Sequence, residues 1–282
     1  MIAEKKVLYY NRIGDDMLKR VLSAIVMLGI FIPALIMGGS IFYIVVFIAA
    51  ILALNELLSI ISSKKQLPAL MKFLGFIALP FLVLNNYDSS LLEFTISYNV
   101  FALMLLTFFL PIILYRNNEY NFKDALLLLS SVVLIGIAFN LFIAIRNFGD
   151  TYYYLLFIFI ITSITDIYAH ITGSLIGKTK LSHVSPNKTI EGAVMGSLFG
   201  TIFACIFYYI FIQDSINVYL LGAIVLFMSI IGQIGDLIFS SIKRYYGRKD
   251  FSSLIPGHGG ILDRLDSVIF VSFIFVLFIH IL

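Results

Sequence analysis

The stretch VYLLGAIVLFMSIIGQIGDLIFSSIKR runs from Val218 to Arg244 and is apolar over most of its length. A helix needs about 20 mostly apolar residues to cross the roughly 30 Å hydrocarbon core of a lipid bilayer. Asp236 interrupts the apolar run near its end, and Lys243 and Arg244 close it. The stretch therefore predicts a membrane-spanning helix with a carboxylate close to one membrane surface.

Apolar runs of this kind recur along the whole chain. They are continuous, whereas the strands of a membrane β-barrel alternate apolar and polar residues over about ten positions. We therefore expect an all-α, polytopic integral membrane protein with about nine transmembrane helices. The predicted helices cover residues 21–38, 40–60, 70–84, 97–115, 125–145, 152–172, 192–212, 217–241 and 266–282.

The composition excludes most other classes of protein. Of the 282 residues, 61% are hydrophobic and only 12% are charged. Soluble domains carry about 25% charged residues, so a soluble enzyme, a soluble nucleic-acid module and a disordered chain are all excluded. Cys205 is the only cysteine, so one chain cannot form a disulfide framework or a Cys-based zinc site.

Positive charge predicts the orientation in the membrane. If the N-terminus is cytoplasmic, 18 of the 19 Lys and Arg residues lie on the cytoplasmic side, and only Arg146 lies on the other. Such enrichment is typical of cytoplasmic loops. We therefore expect a cytoplasmic N-terminus, attribute the net charge of +3 to topology, and predict no nucleic-acid partner.

The chain is predicted to have two functional parts. Residues 1–150 would form N-terminal transmembrane helices that face lipid and could contribute a dimer contact. Residues 151–282 would form a C-terminal catalytic region with two long cytoplasmic loops, 173–191 and 242–265. Both loops are rich in Gly, Ser, Lys and His, and binding and catalytic residues are frequent on such loops.

The block SSIKRYYGRKDFSSLIPGHGGILDRLDS, residues 240–267, is the strongest candidate site. Its cations could clamp phosphate oxygens, its carboxylates could hold a hard cation such as Mg²⁺, and its glycines allow close backbone approach to an anion. These parts suit phosphoryl or nucleotidyl transfer. A solvated loop that follows the positive-inside rule would explain the basic residues alone, but not the interleaved Asp, His and Gly.

Three acids inside apolar helices add to this picture. Asp236 shares one helix face with Ser240 and Lys243, and Asp166 lies about two turns before the end of its own helix. An ionisable group within the membrane is a functional candidate by default. The alternative is a structural ion pair for Asp236 and a structural polar contact for Asp166, and for Glu56 we expect a paired or snorkelling side chain.

The block resembles the signature of the phosphatidate cytidylyltransferase family. Upstream, Ser185-Pro186-x-Lys188-Thr189-x-Glu191-Gly192 also resembles a family segment, whereas His170, Ser174 and Asn187 depart from the family pattern. The resemblance covers the chain from about residue 160 onward. The matching signature positions are Ser240, Ile242, Lys243, Arg244, Lys249, Asp250, His258, Gly259, Gly260, Asp263, Arg264 and Asp266.

The resemblance implies a reaction in which CTP and phosphatidic acid give CDP-diacylglycerol and pyrophosphate. It also implies Mg²⁺ as cofactor, with a second cation as an open option. The protein would be a homodimer that contacts membrane lipid in the bacterial inner membrane, with its active site on the cytoplasmic side.

These expectations assign a role to each candidate residue. Asp236 and Asp263 would hold Mg²⁺, while Asp166 and Asp266 support that centre or bind the second cation. The predicted catalytic residues are Asp236, Asp263, Asp266 and Lys188, and the predicted metal ligands are Asp236, Asp263 and Asp166. The predicted substrate-binding residues are Lys243, Arg244, Arg264, His258, Gly259, Gly260, Ser240 and Lys249.

Two other functions stay open from the sequence. A cytidylyltransferase or CTP-dependent kinase acting on another lipid, such as an isoprenoid, would need the same phosphate-binding residues. An ion-coupled transporter would use Asp166 and Asp236 along an ion path. Inverted repeats or broken helices would favour a transporter, but the sequence has neither, and its polar groups cluster on one side.

Overall fold

A computed structural model describes residues 2–85, 98–115, 119–212, 216–279 and 281–282. Within these ranges, the side chains are described from residue 19 onward, with the exception of Asp150. Throughout these ranges the chain is helical or in loops, and β-pairing is limited to the isolated bridges Lys180–Thr189 and Ile255–Gly259. The all-α prediction is confirmed for this part of the chain.

Ten α-helices follow one another along the described chain. They are α1 (Ile2–Met37), α2 (Gly39–Ser62), α3 (Ala69–Val83), α4 (Tyr98–Phe109), α5 (Pro111–Leu114), α6 (Phe122–Asn147), α7 (Tyr153–Ile176), α8 (Ile190–Phe207), α9 (Val218–Tyr245) and α10 (Leu262–Phe278). A π-helical turn, Tyr208–Ile212, continues α8.

Each of the nine predicted segments overlaps a helix, and the segment 97–115 is divided into α4 and α5 at Leu110. The loops are shorter than predicted, because α7 and α9 continue past the apolar runs that defined them. Residues 177–189 and 246–261 are what remains of the two loops. Lys243 and Arg244 lie in the last turn of α9, where positive charge interacts favourably with the helix dipole.

Among the residues that the structure describes, six helices are long and apolar enough to cross a membrane. They contain residues 19–37, 39–62, 122–147, 153–176, 190–212 and 218–245. Two shorter apolar helical stretches cover 69–83 and 98–114, and α10 has 17 residues. By length and composition, the chain is therefore an integral membrane protein.

Glycines set the distance between α7 and α8. A Cβ atom at Gly196 of α8 would lie 2.6 Å from the carbonyl oxygen of Thr165, and one at Gly192 would also overlap the α7 backbone. Small residues let membrane helices approach until their backbones touch. This contact holds the C-terminal part of α7, with Asp166, against the start of α8.

The bundle has two chemically different ends. At one end α1, α2, α7, α8, α9 and α10 bring their charged residues together, as in the contacts of Ser23 with His258 and of Lys64 with the Tyr245 ring. At the other end the Arg146 guanidinium donates to the carbonyl oxygen of Leu35 at 2.7 Å. The one basic residue predicted on the outer side therefore lies opposite the charged end.

Candidate active site

A polar cavity of about 480 Å³ opens at the charged end of the bundle, between α7, α8, α9 and the loop 177–189. Asp166 is exposed into it, and Gln233 at its floor donates to the Ser197 hydroxyl at 2.7 Å. The volume lies within the range of about 300–1,000 Å³ typical of small-molecule sites. Its lining includes Asp166, His170, Ser174, Ser185, Asn187, Lys188, Thr189, Gln233 and Asp236.

Asp236 lies at the wall of this cavity and forms an ion pair with Lys188. One carboxylate oxygen is bonded to the Lys188 ammonium, and the other accepts a hydrogen bond of 3.1 Å from the Ser240 hydroxyl one turn later. Both charged side chains stay partly exposed, at 20% for Asp236 and 28% for Lys188. The pair is therefore accessible from the cavity.

The loop 177–189 is folded so that Lys188 reaches Asp236. Thr189 caps α8 by accepting the Gly192 N–H at 3.1 Å. The Glu191 carboxylate accepts the N–H groups of Lys178 and Thr179 at 3.2 and 3.1 Å. Glu191 therefore fixes the start of the loop, and Lys188 remains available to pair across to α9.

Asp263 in the first turn of α10 is paired with Lys243 at 2.7 Å. Its second oxygen accepts the N–H groups of Phe251 and Gly260, both at 2.9 Å. The side chains of Asp263 and Lys243 are only 4% and 9% exposed. Asp263 thus joins α9, α10 and the loop 246–261 at a single buried carboxylate.

Asp166, Asp236 and Asp266 come from three helices and repel one another electrostatically. Among the described residues, no three His, Cys, Asp or Glu side chains form a ready metal cage. Mg²⁺ usually binds through one or two carboxylates together with substrate phosphates, and does not need such a cage. The carboxylate oxygens of these aspartates are hard donors of the kind that Mg²⁺ prefers. They fit a cation that is bound partly by the protein and partly by the phosphates of a substrate.

His258, Gly259 and Gly260 do not line the polar cavity. The His258 ring is 2.7 Å from the Ser23 hydroxyl of α1, and the His258 carbonyl accepts the Arg264 guanidinium at 2.8 Å. Gly259 has a φ of +83°, which favours glycine. Burial, followed by the positive charge of Arg264, lowers the pKa of His258 below its ordinary value.

The remaining predicted substrate-binding residues lie at the rim of the site. Arg244 is exposed and donates to the carbonyl of Arg248 at 3.1 Å, which ties the end of α9 to the following turn. Lys249 is exposed in that turn. The structure therefore brings Asp166, Lys188, Asp236 and Ser240 to one cavity wall or its edge, and leaves Lys249 on the surface.

Glu56 of α2 is a functional candidate that sequence reasoning valued too little. It is 3% exposed, and its carboxylate accepts the N–H groups of Ile261 and Leu262 at 2.9 and 3.0 Å and the Ser252 hydroxyl at 2.7 Å. It therefore caps the N-terminus of α10 from another helix. The only signal in the sequence was an acid within an apolar run.

The structure thus defines a bundle of apolar helices with carboxylate–lysine pairs at one end, one of them on the wall of a polar cavity. The chain belongs to the cytidylyltransferase family, whose profile matches residues 18–282. The match includes all the charged residues of the candidate site.

Curated relatives agree with this assignment. A phosphatidate cytidylyltransferase of Staphylococcus haemolyticus (strain JCSC1435) is 37% identical over 254 residues, which cover 89% of this chain and 95% of the relative. Enzymes of the same name from Staphylococcus aureus (strain COL) and Staphylococcus epidermidis (strain ATCC 12228) are 36% and 38% identical, with the same two shares covered. The similarity therefore extends well beyond the signature block.

Proposed function

We propose that this protein transfers the cytidylyl group of CTP to phosphatidic acid, giving CDP-diacylglycerol and pyrophosphate for phospholipid synthesis. The observation that carries the proposal is the placement of Lys188 and Asp236 as a partly exposed pair on the wall of a polar cavity. Both substrates are polyanions, so their reaction needs positive charge and carboxylates for a cation in one place. The names of the curated relatives support the same substrates.

In this reaction a phosphate oxygen of the lipid attacks the α-phosphorus of CTP. The bond from the α-phosphorus to the oxygen that bridges the α- and β-phosphates breaks, and pyrophosphate leaves. A phosphomonoester has a second pKa of about 6 and is largely ionised near neutral pH, so the attacking oxygen needs no separate base. The chain's task is to position two anions and to neutralise their charge.

Lys188 and Lys243 neutralise Asp236 and Asp263. Lys188 is the more exposed of the two and lines the cavity, so it would bind phosphate oxygens directly, and Lys243 would do so once its pair with Asp263 opens. Arg264 and Arg244 are the further phosphate-binding cations. Asp236 and Asp263 would hold Mg²⁺, with Asp166 and Asp266 supporting it or holding a second cation. When bound, the metal withdraws charge from the phosphates of CTP.

The finer topology belongs to the same proposal. Nine transmembrane helices with a cytoplasmic N-terminus would place the charged end of the bundle at the cytoplasmic face of the bacterial inner membrane. CTP would then arrive from water, and phosphatidic acid from the bilayer. A homodimer with contacts through residues 1–150 completes the proposal.

The test uses the purified full-length protein in detergent with α-³²P-labelled CTP and Mg²⁺. We expect label to enter the lipid fraction, with release of pyrophosphate, only when phosphatidic acid is present. Isoprenyl phosphates serve as the competing substrates. Transfer to an isoprenyl phosphate but not to phosphatidic acid would contradict the proposed substrate. Transfer that continues after EDTA has removed the metal would contradict the role of Mg²⁺.

A further inference from the structure

A second cavity, of about 540 Å³, lies between α1, α2, α6 and α7 and is closed at one end by residues of the loop 246–261 and the start of α10. Its walls are apolar, with Phe31, Phe139, Phe142 and Phe159 at the sides. Its polar lining consists of His258 and Arg264 at the loop end. The binding of CTP and Mg²⁺ proposed above does not use this apolar cavity.

Arg264 connects the two cavities. It lines the apolar cavity, and its positive charge acts on Asp166, which lines the polar one. Its guanidinium is held toward the loop by the hydrogen bond of 2.8 Å to the His258 carbonyl. Among the described residues that line the apolar cavity, Arg264 alone is charged, and it lies at the end of the cavity closest to Asp166.

The cavity extends from this charged end toward the middle of the bundle. Residues 24–31 of α1 line it, a rise of about 10 Å at 1.5 Å per residue. Its wall on that side is a helix whose membrane window is only 11% buried within the bundle. The cavity is thus bordered by a thin wall on the side that faces lipid.

We propose that this cavity binds one acyl chain of a phosphatidate molecule, whose phosphate lies at Arg264. The inference rests on the proposed function and adds a binding site to it. An apolar cavity with a single guanidinium at its mouth is complementary to a lipid with one anionic head, and offers a nucleotide no partner for its base or sugar. Small side chains, Ala24 and Ala49, leave the room that the chain occupies.

The first test fills the cavity. We expect Ala49→Phe to raise the KM for dioleoyl phosphatidate by at least about fivefold, because an added ring competes for the same volume, while the KM for CTP stays within twofold of wild type. The matched control is Ala102→Phe on α4, an exposed position remote from the cavity. Ala24→Leu is the milder second variant, and size-exclusion chromatography establishes that each variant is folded.

The second test does not depend on catalysis. Phosphatidate with a diazirine near the end of one acyl chain is photolysed with the protein in nanodiscs, and labelled peptides are mapped by mass spectrometry. We expect label on residues 24–31 and 45–52 that unlabelled phosphatidate suppresses and phosphatidylcholine does not.

The outcomes separate the two proposals. Label confined to other helices, or an Ala49→Phe enzyme with an unchanged KM for phosphatidate, would overturn the acyl-chain site. Specific label at 24–31 and 45–52 without CDP-diacylglycerol formation would uphold the lipid site and contradict the proposed reaction.

Discussion

At the scale of single residues, Glu56 has three hydrogen bonds to lose. Its carboxylate accepts two backbone N–H groups of α10 and one hydroxyl, all within 3.0 Å. Hydrogen bonds to a charged group each contribute about 1.5–3 kcal/mol. A neutral amide at this position keeps the shape, but its NH₂ group faces backbone donors.

We therefore predict that Glu56→Gln lowers the free energy of unfolding by about 2–4 kcal/mol and reduces turnover, because Asp263 follows directly in the same helical turn. Thermal unfolding and kcat of the purified enzyme measure both effects. Glu119→Gln, at an exposed carboxylate, is the matched control and is expected to resemble wild type. An active Glu56→Gln enzyme with wild-type stability would disprove the capping role.

The two carboxylate–lysine pairs predict different consequences for the same substitution. Asp263→Asn leaves the buried Lys243 without its partner, and breaking a buried pair costs about 3–5 kcal/mol. The pair of Asp236 and Lys188 is partly exposed, where ion pairs contribute about 0–1 kcal/mol. Turnover is expected to fall at least about a hundredfold in both variants, because both carboxylates are proposed metal ligands.

The measurement is denaturant unfolding in parallel with the CTP transfer assay. Asp236→Asn should separate the two readouts, with stability near wild type and activity lost. Glu119→Gln, at an exposed acid outside the signature block, is the control that should retain both. Near-normal turnover of Asp236→Asn would remove that residue from the metal site.

The lowered pKa of His258 predicts a dependence of stability on pH. Its ordinary value is 6.5, and burial together with Arg264 lowers it in the folded protein. The unfolded histidine binds a proton at a higher pH than the folded one, so the stability is present at neutral pH and declines as the pH falls below 6.5.

We expect the unfolding temperature of wild type to drop from about pH 7.5 to about pH 5.5, and the drop to be smaller in His258→Gln. Differential scanning fluorimetry in detergent measures it. His183→Gln, at an exposed loop histidine, should retain the wild-type dependence. An identical slope in all three proteins would contradict a role for His258.

Residue chemistry explains how far the site could be read from the sequence. Asp166 and Asp236 stood out because carboxylates are rare inside apolar runs, and the structure brings both to one cavity. Asp263 stood out as part of the block 240–267. The partners of Glu56 could not be predicted, because they lie 205 and 206 residues away and are backbone groups without a side-chain signal. The contact of His258 with Ser23 of α1 could not be predicted either, because the two residues are 235 positions apart in the sequence.

At the scale of helices, the contact between α7 and α8 is a steric requirement of the site. We predict that Gly196→Leu costs about 1–3 kcal/mol and reduces activity, since the new side chain must push α7 and its Asp166 away. Unfolding temperature and kcat measure this effect. Gly222→Leu, on α9 with open space around it, is the control expected to be neutral.

Helix positions were predictable and helix ends were not. Each of the nine continuous apolar runs overlaps a helix, and six of the described helices are long and apolar enough to cross a bilayer. The ends of α7 and α9 lie about one turn beyond the predicted runs, at Ile176 and Tyr245. Hydropathy cannot detect that continuation.

At the scale of the whole molecule, the predicted orientation can be tested with single cysteines. In a Cys205→Ser background, Ser253→Cys lies in the loop 246–261 and Tyr219→Cys at the other end of the bundle. We expect a membrane-impermeant maleimide to label Tyr219→Cys in intact cells, and Ser253→Cys only after permeabilisation. The reverse pattern would invert the topology and place the site outside the cytoplasm.

The hydrogen bonds between α2 and α10 also have a consequence for how the protein is made. Glu56 is synthesised 205 residues before the first backbone group that it caps. At about 5–20 residues per second, this interval lasts about 10–40 s. During that time α2 is in the translocon or bilayer with a carboxylate that still lacks its partners. The charged end of the bundle is therefore completed only when the last helix is in place, and a nascent chain stalled before α10 leaves the Glu56 carboxylate without these partners.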